Sequence, residues 1–445
     1  MVKPAYTALA VLAVMLLGLL WIRLTWRPSG EPLRAPAARN AGQLALTGAT
    51  ARLQGQNYLQ SAVMYAQTIY AAAQEKDRPG AVVLVRDDDL PSALVTTRLQ
   101  HFPVNAPMLY VTNGGTTLPP ETRDELLRLD PEGVMMDNNV QVYLVGDIAA
   151  DVVRAAERLR FRVRRIYATN PVQLTERLDE FIAVMEANRR RPVFVGALDA
   201  PEYLLAVANW NAHMGDGVVF VTPDGIPPET RRVLARREPN HAYIYLFAPP
   251  EVISEEVAAE LSRYGHVQRV PGNTPSEMAV EWAGYDDRGR LLGWWFGQRS
   301  REVGWGTDEP GHNLILANPT DWREIVPTGV LSHMGKHAFL ILTEPGGTLP
   351  ESAVRFLDGI KPTRTHPSQQ VFNYAWVVGT GIPAGTVRQL DALLAVTPRP
   401  QAIADVILIL SRPGIPHRKR VLVNCFISHR ASTPCNGMSS ALKRN

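Results

Sequence analysis

Three aspartates recur at one point of a repeated pattern, and they are the first residues in this sequence that suggest chemistry. Asp89, Asp199 and Asp321 each follow a short apolar run and precede a segment with helical periodicity. This position corresponds to the carboxyl end of a strand, the edge at which open α/β sheets bind ligands. Glu202 and Glu324 follow two of the aspartates at the same distance. The carboxylates are therefore candidates for ligand binding, although an aspartate there also serves as a helix N-cap, and both interpretations stay open.

The spacing shows that the aspartates belong to a repeat. Each lies 22 or 23 residues before a threonine that ends a second apolar run, namely Thr112, Thr222 or Thr343. Each of these runs leads through a glycine-containing turn and a Pro-Glu step into another helical pattern. The sequence therefore predicts three copies of one unit, at 52–164, 165–268 and 269–396.

The apolar runs indicate the fold of each unit. They lack the alternation of a half-exposed strand, which is typical of parallel strands buried on both faces. Helical patterns separate them, so right-handed crossovers give a small, doubly wound, Rossmann-like α/β sheet in each unit. Three equivalent units in one chain can pack around one axis so that each contacts the next through the same surfaces, which predicts a pseudo-threefold arrangement.

An insertion at 284–312 distinguishes the third copy. It contains Trp294, Trp295 and Trp305 among several glycines and arginines. Such aromatic side chains suit a platform for sugar rings or a contact with a partner protein. They are equally suited to covering the end of the third unit's core.

The sequence lacks the motifs that are typical of several functional classes. The chain has no G-x-G-x-x-G or G-x-x-x-x-G-K-(S/T) loop and no G-x-S-x-G elbow, which argues against nucleotide cofactors and a serine nucleophile. No zinc-binding spacing is present, so no metal or other cofactor is expected. The net charge of +3 is nearly balanced, which gives no support to nucleic-acid binding.

The N-terminus carries a targeting signal. Residues 5–22 form an uncharged run of 18 residues between basic flanks, about the length that spans a bilayer. We interpret residues 1–27 as an uncleaved signal anchor, a transmembrane helix, with a cleaved signal peptide as the alternative. Residues 28–51 then form a linker, and the basic residues 397–445 a poorly ordered tail. The chain is expected to be a single-pass membrane protein whose bulk is extracytoplasmic.

The order of four motifs resembles the cell wall-binding repeats (type 2) of bacterial surface proteins. The first copy shows them as RLQGQNYLQSAVMYA, DDDLPSALV, APMLYVTNGGTTLPPET and VYLVGD, and the order recurs over 52–396. The resemblance implies a three-lobed module that holds a surface protein to an anionic wall polymer without covalent chemistry.

These observations together predict a non-catalytic binding or scaffold protein of the cell envelope, with a wall polymer or envelope protein as its partner. One alternative is a wall-active hydrolase that uses the carboxylates at the strand ends as acid and base. A second alternative is a ligand receptor, or a subunit of a membrane complex, that uses the tryptophan-rich insertion.

Overall fold

The computed structural model describes residues 43–46, 48–185, 192–237, 242–287, 303–334, 337–364 and 371–398. The predicted signal anchor, nearly all of the basic tail, and Trp294 and Trp295 lie outside these ranges. Within them, no helix combines the length and the apolar character needed to cross a bilayer.

The first sheet is parallel and has four strands, in the order β4-β3-β5-β6. Its strands are β3 (Val82–Arg86), β4 (Met108–Val111), β5 (Val142–Val145) and β6 (Val163–Ile166). The helices of this region are α1 (Tyr58–Ile69), α2 (Leu90–Thr96), α3 (Pro120–Leu129) and α4 (Ala150–Arg158).

The second sheet repeats this order as β10-β9-β7-β8 and is also parallel. Its strands are β7 (Val193–Ala197), β8 (Gly217–Val221), β9 (Ala242–Leu246) and β10 (Gly265–Arg269). The accompanying helices are α5 (Pro171–Met185), α6 (Leu205–Met214), α7 (Pro228–Ala235) and α8 (Glu255–Leu261).

The third sheet contains strands from both ends of the described chain. Its order is β1-β2-β14-β11-β12, where β1 (Gln43–Leu46) is antiparallel to β2 (Thr50–Gln54) and the other pairs are parallel. The remaining strands are β11 (Asn313–Ala317), β12 (Phe339–Leu342), β14 (Tyr374–Val378) and a separate short pair, β13 (Thr363–Arg364) with β15 (Thr397–Pro398). The helices are α9 (Pro275–Gly284), α10 (Gly329–Ser332), α11 (Glu351–Gly359) and α12 (Ala384–Leu394).

The predicted fold class is confirmed in its main features, because the protein is an α/β structure with three parallel sheets, each accompanied by helices. The central strands are buried on both faces, as their uninterrupted apolar runs predict; Val82 through Val85, for example, are fully buried, whereas the edge strands β6 and β10 are partly exposed. Each of the central strands thus removes apolar surface from water on two sides.

The sheets are offset from the sequence repeats. The first two sheets take their fourth strand, β6 or β10, from the chain that follows their third strand. The third sheet takes its fourth strand from the beginning of the described chain, since β2 pairs with β14. The end of the stretch predicted as a linker, 28–51, therefore contains β1 and the start of β2.

Equivalent segments of the three repeats meet in a buried polar cluster. The amide nitrogen Nδ2 of Asn209 lies 2.8 Å from Oγ of Ser332 and 3.3 Å from Oγ1 of Thr328, and Nδ2 of Asn211 lies 3.3 Å from Oγ1 of Thr97. All five residues are fully buried. Since buried polar groups need hydrogen-bond partners, this central cluster ties the first helical segment of each sheet to the others.

Candidate functional site

At the carboxyl edge of the first sheet, one of the predicted aspartates caps a helix. Asp89 is the N-cap of α2, and its Oδ1 accepts a hydrogen bond of 3.0 Å from the backbone N–H of Ser92. The neighbouring Asp88 receives two hydrogen bonds from Arg86, at 2.8 and 2.9 Å, which lower the pKa of its carboxyl group. The capping interpretation of Asp89 is confirmed.

Asp321 has two internal roles at the carboxyl edge of the third sheet. Its Oδ1 accepts from the backbone N–H of Arg323 at 3.0 Å, and the Arg323 guanidinium binds both carboxylate oxygens at 2.7 Å. These hydrogen bonds raise the pKa of Arg323. A bidentate pair of this kind leaves Asp321 little capacity for a ligand.

The Asp321–Arg323 pair contacts a residue of the first repeat. The Arg323 guanidinium lies 4.1 Å from the centre of the Tyr58 ring, and the Tyr58 hydroxyl donates to Oδ2 of Asp87 at 2.6 Å. Burial, followed by the hydrogen bond to Asp87, raises the pKa of Tyr58 to about 12. This edge cluster of Asp87, Tyr58, Asp321 and Arg323 joins the loop after β11 to the start of α1.

Glu324 is buried, with 4% of its surface exposed. Its Oε2 accepts from the backbone N–H and the hydroxyl of Thr380, at 2.6 and 2.9 Å, and its Oε1 accepts from Ser61 at 3.3 Å. A Cβ at Gly379, whose φ is +68°, would lie 2.5 Å from Oε2. A side chain at this position would therefore clash with the carboxylate, and glycine is the residue that fits. Glu324 therefore holds the loop after β14 against α1.

Asp199 and Glu202 have a different environment at the carboxyl edge of the second sheet. Both side chains are exposed. The short helix Pro201–Leu204 that follows Asp199 has Ala200 as its N-cap and no side-chain cap. In the part of the chain that the structure describes, neither carboxylate has a hydrogen-bond partner. These two residues are the predicted carboxylates that remain open to a ligand.

Trp305 lies away from the carboxylates. Its ring stacks on His213, with ring centres 5.2 Å apart and planes 14° apart, and it meets the edge of Trp210 at 5.3 Å. It also approaches Phe339, the first residue of β12, whereas Asp321 follows the last residue of the neighbouring strand β11. Since these strands are parallel, Trp305 and Asp321 lie at opposite edges of the sheet. The contacts of Trp305 favour the core-covering interpretation.

A repeated arginine is a feature to which the sequence pattern assigned no role. Arg52, Arg165 and Arg269 occupy equivalent places in the fourth strands. Each guanidinium donates to a main-chain carbonyl in the loop after the third strand: Ile382 at 2.6 Å, Ile148, and Ala248 at 2.7 Å. This repeated arginine is thus a structural link between the loop and the fourth strand.

The fold and these edges define a class of α/β proteins built from three parallel sheets, and two solved structures are similar to it. Cwp6 from Clostridium difficile has a TM-score of 0.60 and 15% sequence identity, over 81% of this chain and 50% of its own. Cwp8 from Clostridium difficile has a TM-score of 0.58 and 13% identity, over 78% of this chain and 52% of its own. No family model and no curated protein matches the chain. The match extends over about half the length of each structure, and at these identities it shows the fold alone.

Proposed function

We propose that the protein is a non-catalytic binding protein of the cell envelope, held by its three sheets to a wall polymer. The observation that carries the proposal is the likeness in fold, over about four fifths of the chain, to Cwp6 and Cwp8, which are cell wall proteins. The four motifs of the sequence support the same assignment to cell wall-binding repeats.

The state of the carboxylates favours binding over hydrolysis. Acid–base hydrolysis of a glycan needs two carboxyl groups available on either side of the bond that is cut. Asp89 is engaged as a cap, Asp321 pairs with Arg323, and Glu324 is buried. Two of the three repeated sites are therefore committed to the fold, which supports a non-catalytic protein.

The arrangement in the cell follows from the predicted N-terminal segment. Residues 5–22 would anchor the chain in the membrane and place the three sheets outside it. The central cluster, where Asn209 and Asn211 contact the other two repeats, supports the pseudo-threefold packing that we propose for the body.

Co-sedimentation with purified cell walls tests the proposal. The chain from residue 31 onward retains every described strand and is mixed with walls before and after chemical removal of their anionic polymers. We expect the protein to pellet with untreated walls and to remain in solution with stripped ones. Equal sedimentation with both, or with neither, contradicts the proposal.

Asp199 and Glu202 are the carboxylates that we propose to contact the polymer, because they are exposed and unpaired at a carboxyl edge. Asp199→Asn with Glu202→Gln keeps their shape and replaces one acceptor oxygen of each carboxylate by an amide donor, so we expect weaker hydrogen bonding to the hydroxyl groups of the polymer and weaker sedimentation with walls. The matched control is Glu75→Gln with Asp358→Asn, which removes two exposed charges away from the carboxyl edges. Equal binding by the two double variants would remove these residues from the site.

A further inference from the structure

Six arginines lie close together at the edge of the first sheet. They occur between residues 150 and 166, in α4, in the following turn and in β6, and only two carboxylates, Asp151 and Glu157, share this stretch. β6 is the last strand of its sheet, so this stretch borders solvent. The six are Arg154, Arg158, Arg160, Arg162, Arg164 and Arg165.

Two of the six have their charge balanced by a carboxylate. Arg154 pairs with Asp151, and Arg164 pairs with Asp137 while it packs over the ring of Phe181 at 5.6 Å. Arg165 is the structural arginine that binds the carbonyl of Ile148. These three have roles within the fold.

The other three form a group that we name the arginine edge: Arg158, Arg160 and Arg162. All three are exposed. Arg162 donates to the carbonyl oxygen of Asn138 at 2.9 Å, which leaves its positive charge unbalanced. Arg158 and Arg160 have no acceptor among the residues that the structure describes. Three uncompensated cations thus lie within five residues of chain.

The second repeat shows that this charge is not a requirement of the fold. Arg165 and Arg269 are equivalent, so Arg158, Arg160 and Arg162 correspond to Ser262, Tyr264 and His266. β10 is also the last strand of its sheet. Protection of an exposed sheet edge by charged side chains would therefore apply to both strands, yet this stretch of the second repeat has one exposed arginine, Arg263, where the first has three.

A helix terminus explains only part of the pattern. Arg158 ends α4, where a cation interacts favourably with the helix dipole. Arg160 lies beyond the helix with φ of +70°, and Arg162 precedes β6, so neither gains this interaction. Their exposure and unbalanced charge point outward, to a partner of opposite sign.

We propose that the arginine edge binds the anionic groups of the cell-wall polymer. The inference rests on the proposed function and names the surface and the charge that would carry it. Arginine suits this role because its planar guanidinium binds phosphate and carboxylate groups in a bidentate manner. Several cations along a short stretch match a polymer that carries one anion in each repeating unit.

Removal of the three charges tests the arginine edge. Arg158→Gln, Arg160→Gln and Arg162→Gln are combined, and affinity for solubilised anionic wall polymer is measured at low salt. We expect a loss of about tenfold, and a weaker dependence of affinity on salt than in the unaltered chain. The control combines Arg177→Gln, Arg263→Gln and Arg388→Gln, which are exposed arginines of the other repeats; it should change affinity by less than about threefold.

A second variant separates charge from structure. Replacement of the same three arginines by lysine keeps the charge but loses the bidentate guanidinium, so its affinity should lie between those of the unaltered chain and the glutamine variant. The thermal transitions of all variants should coincide. A lysine variant that loses as much affinity as the glutamine variant would overturn the role of charge in the proposal.

The outcomes also distinguish this inference from the proposed function. If the unaltered chain fails to sediment with walls, both are wrong. If it sediments with walls and the glutamine variant binds the polymer equally well, the arginine edge alone is wrong. Equal or tighter binding of duplex DNA or of anionic lipid vesicles at the same ionic strength would assign the edge to another partner and overturn the proposal.

Discussion

Equivalent residues of the three repeats have taken different roles. Glu202 and Glu324 occupy the same position, three residues after the repeated aspartate, yet Glu202 is exposed and Glu324 is buried beneath Thr380. Asp321 binds an arginine that the second repeat lacks two residues after Asp199, where Pro201 stands instead. A repeated residue is therefore not evidence of a repeated site.

Stability measurements on Glu324 and Glu202 test this difference. Glu324→Gln replaces one acceptor oxygen of a buried carboxylate by an amide group, which leaves donors of Thr380 or Ser61 unsatisfied. We expect a loss of about 1–3 kcal/mol in the free energy of unfolding. Glu202→Gln, the matched control, should change it by less than about 0.5 kcal/mol. Denaturant titration measures both, and similar values would contradict the assigned roles.

A capped aspartate and an uncapped one should differ in the same way. Asp89→Ala removes the acceptor for the Ser92 N–H and should cost about 1 kcal/mol. Asp199→Ala removes no cap and should be nearly neutral. Thermal unfolding compares the two, and a larger loss for Asp199→Ala would show that its exposed carboxylate has a structural role.

At the scale of elements, β2 completes the third sheet. Its residues 50–53 pair with residues 375–378 of β14, and Arg52 binds the carbonyl of Ile382, 330 residues away along the chain. A chain that begins at residue 57 lacks β1 and β2 and leaves one side of β14 without a hydrogen-bonded neighbour. Buried main-chain groups without partners are costly.

We therefore expect the shortened chain to melt at a lower temperature, or to lose a cooperative transition in the third sheet. Hydrogen exchange should show faster exchange in β11, β12 and β14, with β7–β10 less affected. The control chain begins at residue 42 and keeps both strands. Equal protection of the third sheet in the two chains would show that β2 adds little to its stability.

The sequence predicted the α/β class and the alternation of buried strands with helices, because apolar runs such as residues 82–85 and 193–195 have the same character wherever they lie. It did not predict which sheet β2 joins, since pairing leaves no mark in the periodicity of a strand. The arginine edge was missed because the nearly balanced net charge of +3 does not reveal a local excess of positive charge. The exposure of Arg158 and Arg160 became visible only once β6 was placed at an edge.

At the scale of the whole molecule, histidines lie where repeats meet. Nε2 of His333 lies 2.9 Å from Oδ1 of Asn105, and the rings of His333 and His101 are 5.3 Å apart. Burial, with smaller contributions from His101 and His337, lowers the pKa of His333 to about 4. The neutral form of His333 is therefore the one that fits this contact between the third and first repeats.

Acid should weaken this contact. An unfolded histidine titrates near pH 6.5, so the stabilisation from neutral His333 is complete above that pH and is lost as the pH falls towards 4. His333→Gln should reduce the decline in stability between pH 6.5 and 4 by about 1–2 kcal/mol. His266→Gln, an exposed control, should leave the decline unchanged. Denaturation at several pH values decides, and parallel curves for all three proteins would contradict the prediction.

The pairing of β2 with β14 also determines when folding of the third sheet can be completed during synthesis. The ribosome makes β14 more than 300 residues after β2, which takes tens of seconds at about 5–20 residues per second. During that interval β1 is the one neighbour in its sheet with which β2 can pair, and the strands of the first and second sheets are all made. The last sheet to form is thus the one that brings the earliest and latest parts of the body together, and a chain interrupted before residue 374 cannot complete it.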